Sequence, residues 1–323
     1  MNRMLQRDRL PTLATGVVCL ALYLAAGFKY PGFFGPRVFL NFLSDSAFLG
    51  VVAAGLTFVI LTGGIDLSVG AVVSLTSIAT ANWIQNAHLS PVLAFIAALG
   101  LGLVVGLGQG LLIAKFDLPP FLVTLGGLFL CRGLALWVSR ESIQIDDQTF
   151  RALTSTSLKL PGSSLSLGAI VMLLVLIGSA FLLRQTRFGR TAVAIGGAED
   201  SARLMGLAVE RTKAGVYALS GVLAALGGLL FTLYTGSGNA LSGTGLELDA
   251  IAAVVIGGTL LTGGYGSILG TLLGLLILAI LQTAIVFEGT LSSWWTKIVI
   301  GFLLLVFVLL QKAIERTAQR AAR

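Results

Sequence analysis

Ten apolar runs follow one another along the sequence, at about residues 12–28, 46–62, 67–84, 91–114, 121–139, 165–183, 214–234, 248–261, 267–286 and 293–311. A helix needs about 20 predominantly apolar residues to cross the hydrocarbon core of a bilayer. Most of the runs reach that length, and those at 46–62, 67–84 and 248–261 are the short ones. Charged side chains make up 11% of the 323 residues, against about a quarter in soluble domains. The expected fold is an all-α polytopic membrane helix bundle of about ten transmembrane helices, some broken or short. The polar stretches are too brief for a second folding unit, so residues 1–323 read as one membrane domain.

The net charge of +7 raises nucleic-acid binding, but the basic residues sit in alternate loops, which is the positive-inside signature. With the N-terminus inside, the inner segments hold 14 Lys and Arg: Arg3, Arg7, Arg9, Lys115, six in residues 184–213, and Lys312, Arg316, Arg320 and Arg323. The outer loops hold 5: Lys29, Arg37, Arg140, Arg151 and Lys159, while Arg132 and Lys297 fall within spans. Both termini are therefore expected in the cytoplasm. The run at 12–28, preceded by three arginines, is long for a signal peptide and reads as an uncleaved first helix. Cys19 and Cys131 lie in apolar runs and suggest neither a disulfide framework nor a metal site.

Two ladders of small residues recur every four positions, Ala98, Gly102, Gly106 and Gly110, and Gly266, Gly270 and Gly274. Such stripes let a second backbone approach closely, and the expectation here is packing within the chain. Trp294 and Trp295 fit an interfacial aromatic belt, with Lys297 snorkelling from the same end.

The longest polar interruption is residues 184–213, RQTRFGRTAVAIGGAEDSARLMGLAVERTK. Glu199, Asp200, Ala202, Arg203, Leu204 and Met205 read as a short helix, introduced by Gly196-Gly197 and stopped at Gly206. Acidic residues just inside a helix N-terminus complement its macrodipole, which favours such a helix outside the lipid.

The stretch TGGIDLSVG at 62–70 puts Asp66 between two apolar segments too short for an ordinary loop-linked pair. Asp66 and Ser68 are good helix-capping types, and a broken helix can also border a substrate path; the two roles are compatible. A second acidic pair, Glu247 and Asp249, lies in GLELDAIAAVV. Gly-x-acid-Leu recurs between the two stretches at an offset of 181 residues, as an inverted repeat would require, with the motifs on opposite sides. Leu-Thr-Gly-Gly recurs at an offset of 200, at Leu61 and at Leu261, with both copies inside. The sequence alone does not choose between these alignments. No lysine is followed by Ser or Thr, so the phosphate loop of that class of ATP hydrolase is missing, and no catalytic constellation replaces it. His88, the one histidine, falls in an outer turn.

Four spaced motifs, GGIDLSVG (63–70), PPFLVTLG (119–126), GRTAVAIGGAEDSARLMG (189–206) and LELDAIAAVVIGGTLLTGGYGSILG (246–270), carry a resemblance over essentially the whole chain. The sequence resembles the permease subunits of bacterial sugar ABC importers of the ribose/galactose type. Residues 47–70 and GTLSSWWTK (289–297) make it most similar to the galactofuranose permeases of enteric bacteria. The resemblance implies an inverted-repeat importer fold in the bacterial inner membrane. It also implies no enzymatic site and no cofactor of its own, with ATP hydrolysed by a separate cytoplasmic ABC ATPase. Further implied partners are a second, related permease chain and a periplasmic sugar-binding protein. By position, residues 196–206 match the family's coupling helix, with Gly196 and Gly197 at its bend, Glu199, Asp200 and Arg203 presenting charge to the ATPase, and Gly206 ending it. Ala198 stands where the family often has Asn, which removes a side-chain cap.

Hydrogen-bonding candidates for a sugar path are Thr62, Asp66, Ser68, Asn239, Glu247 and Asp249. The competing reading is a self-sufficient proton- or sodium-coupled secondary transporter with Asp66, Glu247 and Asp249 as its ion-coupling carboxylates. It explains the carboxylates but leaves the central loop without a role. A membrane-embedded enzyme lacks residues to support it, and a different importer cargo, such as a branched-chain amino acid, stays open.

Overall fold

The structure is a computed structural model that describes residues 10–160, 163–290 and 294–321. Arg3, Arg7, Arg9, Arg323 and residues 291–293 of the GTLSSWWTK motif lie outside the described residues, as do the side chains of Lys312, Arg316 and Arg320. In chain order the elements are α1 (Leu10–Lys29), α2 (Pro36–Asp45), α3 (Ala47–Leu61), α4 (Val69–Gln85), α5 (Pro91–Phe116), α6 (Pro120–Val138), β1 (Ile143–Gln144), α7 (Gln148–Ser155), β2 (Ser157–Leu160), β3 (Ser163–Ser166), α8 (Leu167–Gln185), α9 (Arg187–Gly197), α10 (Glu199–Leu204), α11 (Val209–Thr235), β4 (Ser237–Gly238), α12 (Leu246–Ile256), α13 (Ile268–Glu288) and α14 (Trp294–Ala321). The protein is an all-α polytopic membrane helix bundle.

Every apolar run of the sequence becomes a helix, but not every helix crosses the membrane alone. Among the described residues, α1, α5, α6, α8, α11 and α13 are long and apolar enough to span, and α2 with α3 forms a pair bent by 55°, a seventh when it is taken as one broken span. The expectation of about ten transmembrane helices, some broken or short, is met by these spans together with the shorter apolar helices α4 and α12 and the last helix α14. A helix that is apolar all round belongs in a protein interior, and α3 buries 14 of its 15 residues. The 11-residue α12 is similarly buried, and at 1.5 Å per residue it covers about 16 Å, roughly half the hydrocarbon thickness. These helices sit inside a ring of lipid-facing ones and need not reach both surfaces.

At the centre runs α11, packed against α5, α3 and α4. The first small-residue ladder makes that packing possible. Gly102 and Gly106 lie against the backbone of Gly221, and Gly110 against Ala214, so closely that a Cβ at these glycines would collide. The second ladder serves α12 in the same way, with Gly270 against the Gly257 carbonyl and Gly274 against that of Ala253. Both ladders pack within the chain. The first helix belongs to the bundle too, since α1 packs on α13 and Thr15 Oγ1 donates to the Ile256 carbonyl at 2.9 Å.

Two polar regions carry structure that periodicity does not reveal. Pro36 begins α2 at the helix start, where its missing N–H costs nothing. Residues 140–160 and 163–166 form a cap in which β1 pairs antiparallel with β4 and β2 with β3. Asp147 accepts from the Phe150 amide at 2.8 Å and starts α7. This cap closes one end of the bundle, joined to α4 by the Asp146 amide donating to Gln85 Oε1 at 2.9 Å. The other end is the basic one, formed by α9, α10 and the start of α11.

Candidate functional site

Between α3 and α4 the chain unwinds over residues 62–68, inside the bundle. Non-helical backbone at membrane depth is tolerated only where protein buries it or it lines a cavity. Here several of its polar groups find partners inside the bundle. Asp66, 2% exposed, accepts at Oδ1 from the Ser68 amide (2.9 Å) and Ser68 Oγ (2.7 Å), and at Oδ2 from Ser220 Oγ of α11 (2.9 Å). Thr124 Oγ1 of α6 shares its one proton between the Pro120 carbonyl of its own helix (2.9 Å) and the Ile65 carbonyl of the break (3.1 Å). Thr62 Oγ1 turns back onto the Val59 carbonyl at 2.7 Å. Gln109 Oε1 lies 3.1 Å from Ser68 Oγ, whose single proton the carboxylate takes. Thr62, Asp66 and Ser68 are thus all buried within this chain, where they hold the break in shape.

A second unwound stretch approaches from the capped end. After β4, residues 239–245 run down beside α4, with Gly238 against Ser77 and Ile78 and Gly243 against Gly70 and Ser74. Then α12 continues toward the basic end. Both half-helices α4 and α12 begin at this junction and diverge, α4 to the cap and α12 to the basic end. Their N-terminal dipoles meet there, and the Glu247 carboxylate sits against Gly70 in the first turn of each, where negative charge is favoured. The Gly-x-acid-Leu pair at offset 181 thus lies at the starts of two oppositely directed half-helices, with Asp66 in the break before α4 and Glu247 in the first turn of α12. The two motifs meet in the interior and do not lie on opposite sides.

Arg132 of α6, a charged residue in a spanning helix, reaches this junction. Its Nη1 donates to Ser74 Oγ and to the Ala240 carbonyl, each at 2.8 Å, and Ser74 Oγ in turn accepts from the Gly243 amide at 2.9 Å. Glu247 lies within the electrostatic field of the guanidinium. Asn239 Oδ1 accepts from the Leu241 amide at 2.7 Å and so shapes the turn. Asp249 pairs with Lys297 of α14 at 2.5 Å, which gives Lys297 a partner in place of simple snorkelling. Sequence reading passed over Arg132; the signal available was its position, a lone arginine inside an apolar run.

At the basic end the two Leu-Thr-Gly-Gly copies also meet. The Gly264 amide donates to the Leu61 carbonyl at 2.9 Å, and Gly263 stacks on the backbone of Gly63. Gly196 of α9 packs on the same carbonyl, leaving no room for a Cβ. Gly196 and Gly197 close α9, so the bend before α10 falls at Ala198, which is extended and makes no side-chain cap. Gly206, at φ +75°, follows the end of α10.

Four charges fasten α10 to α11. Glu199 bonds Lys213 Nζ at 2.6 Å, where the lysine is only 14% exposed, and Arg203 bridges Glu199 and Glu210, each at 3.3 Å. Beneath them Ile195, Ala202 and Val209 form a small core. What α10 turns outward is Asp200 together with Leu204 (89% exposed) and Met205 (69%). A cavity of about 280 Å³ beside it is bordered by Thr62, Gly63, Asp117, Lys213 and Tyr217.

A family described as "Branched-chain amino acid transport system / permease component" matches residues 38–308, from α2 into α14. The chain belongs to this permease family. The permease is 48% identical over 312 residues to the inner membrane ABC transporter permease protein YjfF of Escherichia coli, covering 96% of the chain and 94% of that protein. It is 40% identical over 321 residues to the fructose import permease protein FruG of Bifidobacterium longum (96% and 93% covered). To the ribose import permease protein RbsC of Bacillus subtilis it is 42% identical over 287 residues (87% of each). No solved structure matches the permease. The family description names amino acids, whereas the names of two of these relatives carry sugars.

Proposed function

We propose that this permease is the membrane subunit of an ATP-binding-cassette importer that carries a monosaccharide across the bacterial inner membrane. Its cargo is galactofuranose or a related ribose/galactose-like sugar, and a separate ATPase supplies the energy. Residues 1–323 act as one permease domain with both termini in the cytoplasm. It binds no cofactor and hydrolyses no ATP itself. A second, different permease chain completes the pore, and a periplasmic binding protein delivers the sugar. The sugar names carried by two relatives and the resemblance of residues 47–70 and 289–297 support this cargo.

The observation that carries the reading is the outward face of α10. Two large apolar side chains stand free on a polar loop, on a helix fastened to the bundle by ion pairs. Exposed apolar surface rimmed by charge marks a protein contact, and a fastened helix transmits force where a free loop would not. The ATPase is the partner that this face serves. Glu199 and Arg203 hold the lever in place, while Asp200, Leu204 and Met205 make the contact.

The test is purification of the chain from its native membrane in mild detergent. Recovery of an ATPase with a phosphate loop and of a related permease chain supports the importer, and Leu204→Ser with Met205→Ser then loses the ATPase while keeping the second permease. Recovery of the chain alone, with uptake after reconstitution that follows a proton or sodium gradient, overturns it in favour of a secondary transporter.

A further inference from the structure

The outer surface of the bundle is apolar almost everywhere that it is exposed. Leu13, Val17, Leu20 and Leu24 on α1, Val104, Leu107 and Leu111 on α5, and Leu174, Ile177 and Phe181 on α8 all suit lipid. One face does not. Arg132 is the thirteenth of the 19 residues of α6, so it lies about 9 Å short of that helix's capped end. Beside it, residues 239–245 are non-helical backbone at bilayer depth, with Leu241 and Thr244 exposed and Asn239, Ser242 and Glu247 half-exposed. Lipid-exposed irregular backbone does not occur in the hydrocarbon region, and intramembrane charges face a bundle interior or water. This face is therefore not a lipid face.

We propose that Arg132, the turn at residues 239–245 and Glu247 line a water-filled sugar path, and that Thr62, Asp66 and Ser68 stand behind it without touching the sugar. The proposal rests on the importer reading and names its path. The chemistry suits a neutral polyol. Arg132 spends Nη1 on Ser74 and Ala240, while its Nε and Nη2 make no hydrogen bond among the described residues. Guanidinium donors, the Thr244 hydroxyl and the Glu247 carboxylate together offer the mixed donors and acceptors that vicinal hydroxyls need. Arg132 also pins the Ala240 carbonyl, so it positions the turn as well as facing the path.

The test uses the full chain in its native membrane, where Cys19 and Cys131 are both buried. Thr244→Cys is treated with a charged, membrane-impermeant thiol reagent, alongside Ile177→Cys on the lipid face and Thr154→Cys in the cap. Thr244→Cys is expected to react and lose sugar uptake, while Ile177→Cys stays unmodified. An unreactive Thr244→Cys with a reactive Thr154→Cys overturns the proposal, because the face is then sealed by a dry protein contact. As a second measurement, Arg132→Gln is expected to lose uptake while the complex still assembles, with Arg132→Lys keeping part of it. Uptake unchanged in Arg132→Gln overturns it as well. ATP independence of uptake would defeat the importer reading alone, since the labelling of Thr244→Cys does not depend on the energy source.

Discussion

The Gly264 amide donates a hydrogen bond to the Leu61 carbonyl at 2.9 Å, which joins two turns of identical sequence 200 residues apart. Gly196 packs on that same carbonyl. The end of α9, the break before α4 and the loop after α12 therefore touch at one point, and the basic loop has a direct mechanical connection to that break and to that loop.

Alanine at Gly196 places a methyl group against the Leu61 carbonyl and the Gly264 amide, where no side chain can move aside. Overpacking of this kind costs about 1–3 kcal/mol. Gly196→Ala is expected to lower the thermal unfolding temperature in detergent and to abolish uptake. Gly197→Ala, which meets nothing within 4 Å, should leave the melting temperature unchanged. Equal melting curves for the two variants would refute the contact.

The charge swap Glu199→Lys with Arg203→Glu preserves the pair within α10 but sets Lys against Lys213 and Glu against Glu210. Loss of the partly buried Glu199–Lys213 pair, with the exposed Arg203–Glu210 pair adding at most about 1 kcal/mol, should loosen α10 from α11. The variant is expected to insert normally and to lose ATP-dependent uptake. Adding Lys213→Glu and Glu210→Lys re-forms both pairs and should restore part of it; uptake that stays normal in the first swap would show that the fastening is dispensable.

Asp66 accepts three hydrogen bonds in a dry interior. Asn keeps the Oδ1 acceptor, and Ser220 can rotate to accept from its amide. Ala leaves buried donors without a partner, at about 1–3 kcal/mol. Thermal melts should rank the wild type and Asp66→Asn together, well above Asp66→Ala. Uptake by Asp66→Asn should persist; uptake abolished without any loss of stability would instead assign Asp66 a direct role in transport.

Leu204→Ser and Met205→Ser remove exposed side chains, and surface changes of this sort are usually within about 0.5 kcal/mol. The melting temperature of the isolated permease should not move, whereas ATPase recovered in pull-downs should fall sharply. A drop in melting temperature would mean that these residues pack inside the chain.

Much of this was legible in the sequence. Apolar runs locate helices because hydrophobicity is local, and the basic loop announces itself by composition. The all-round apolar character of residues 47–61 already marks an interior helix. The pairing of β1 with β4 joins residues more than 90 apart and has no local signature. Asp66 was visible as a cap or a lining residue, but its donor Ser220 lies 154 residues away, so only the fold reveals that it faces inward. Arg132 was visible and uninterpreted, because its meaning depends on the turn it holds.

The divergence of α4 and α12 from a shared origin bears on how leakage is prevented. Neither element runs from one aqueous phase to the other, so no continuous rod insulates the two compartments along this line. The seam is where the start of α4 abuts the turn before α12, at Gly70 and Gly243. Two elements that meet in this way can separate by a local movement, where a continuous helix would have to tilt as a whole.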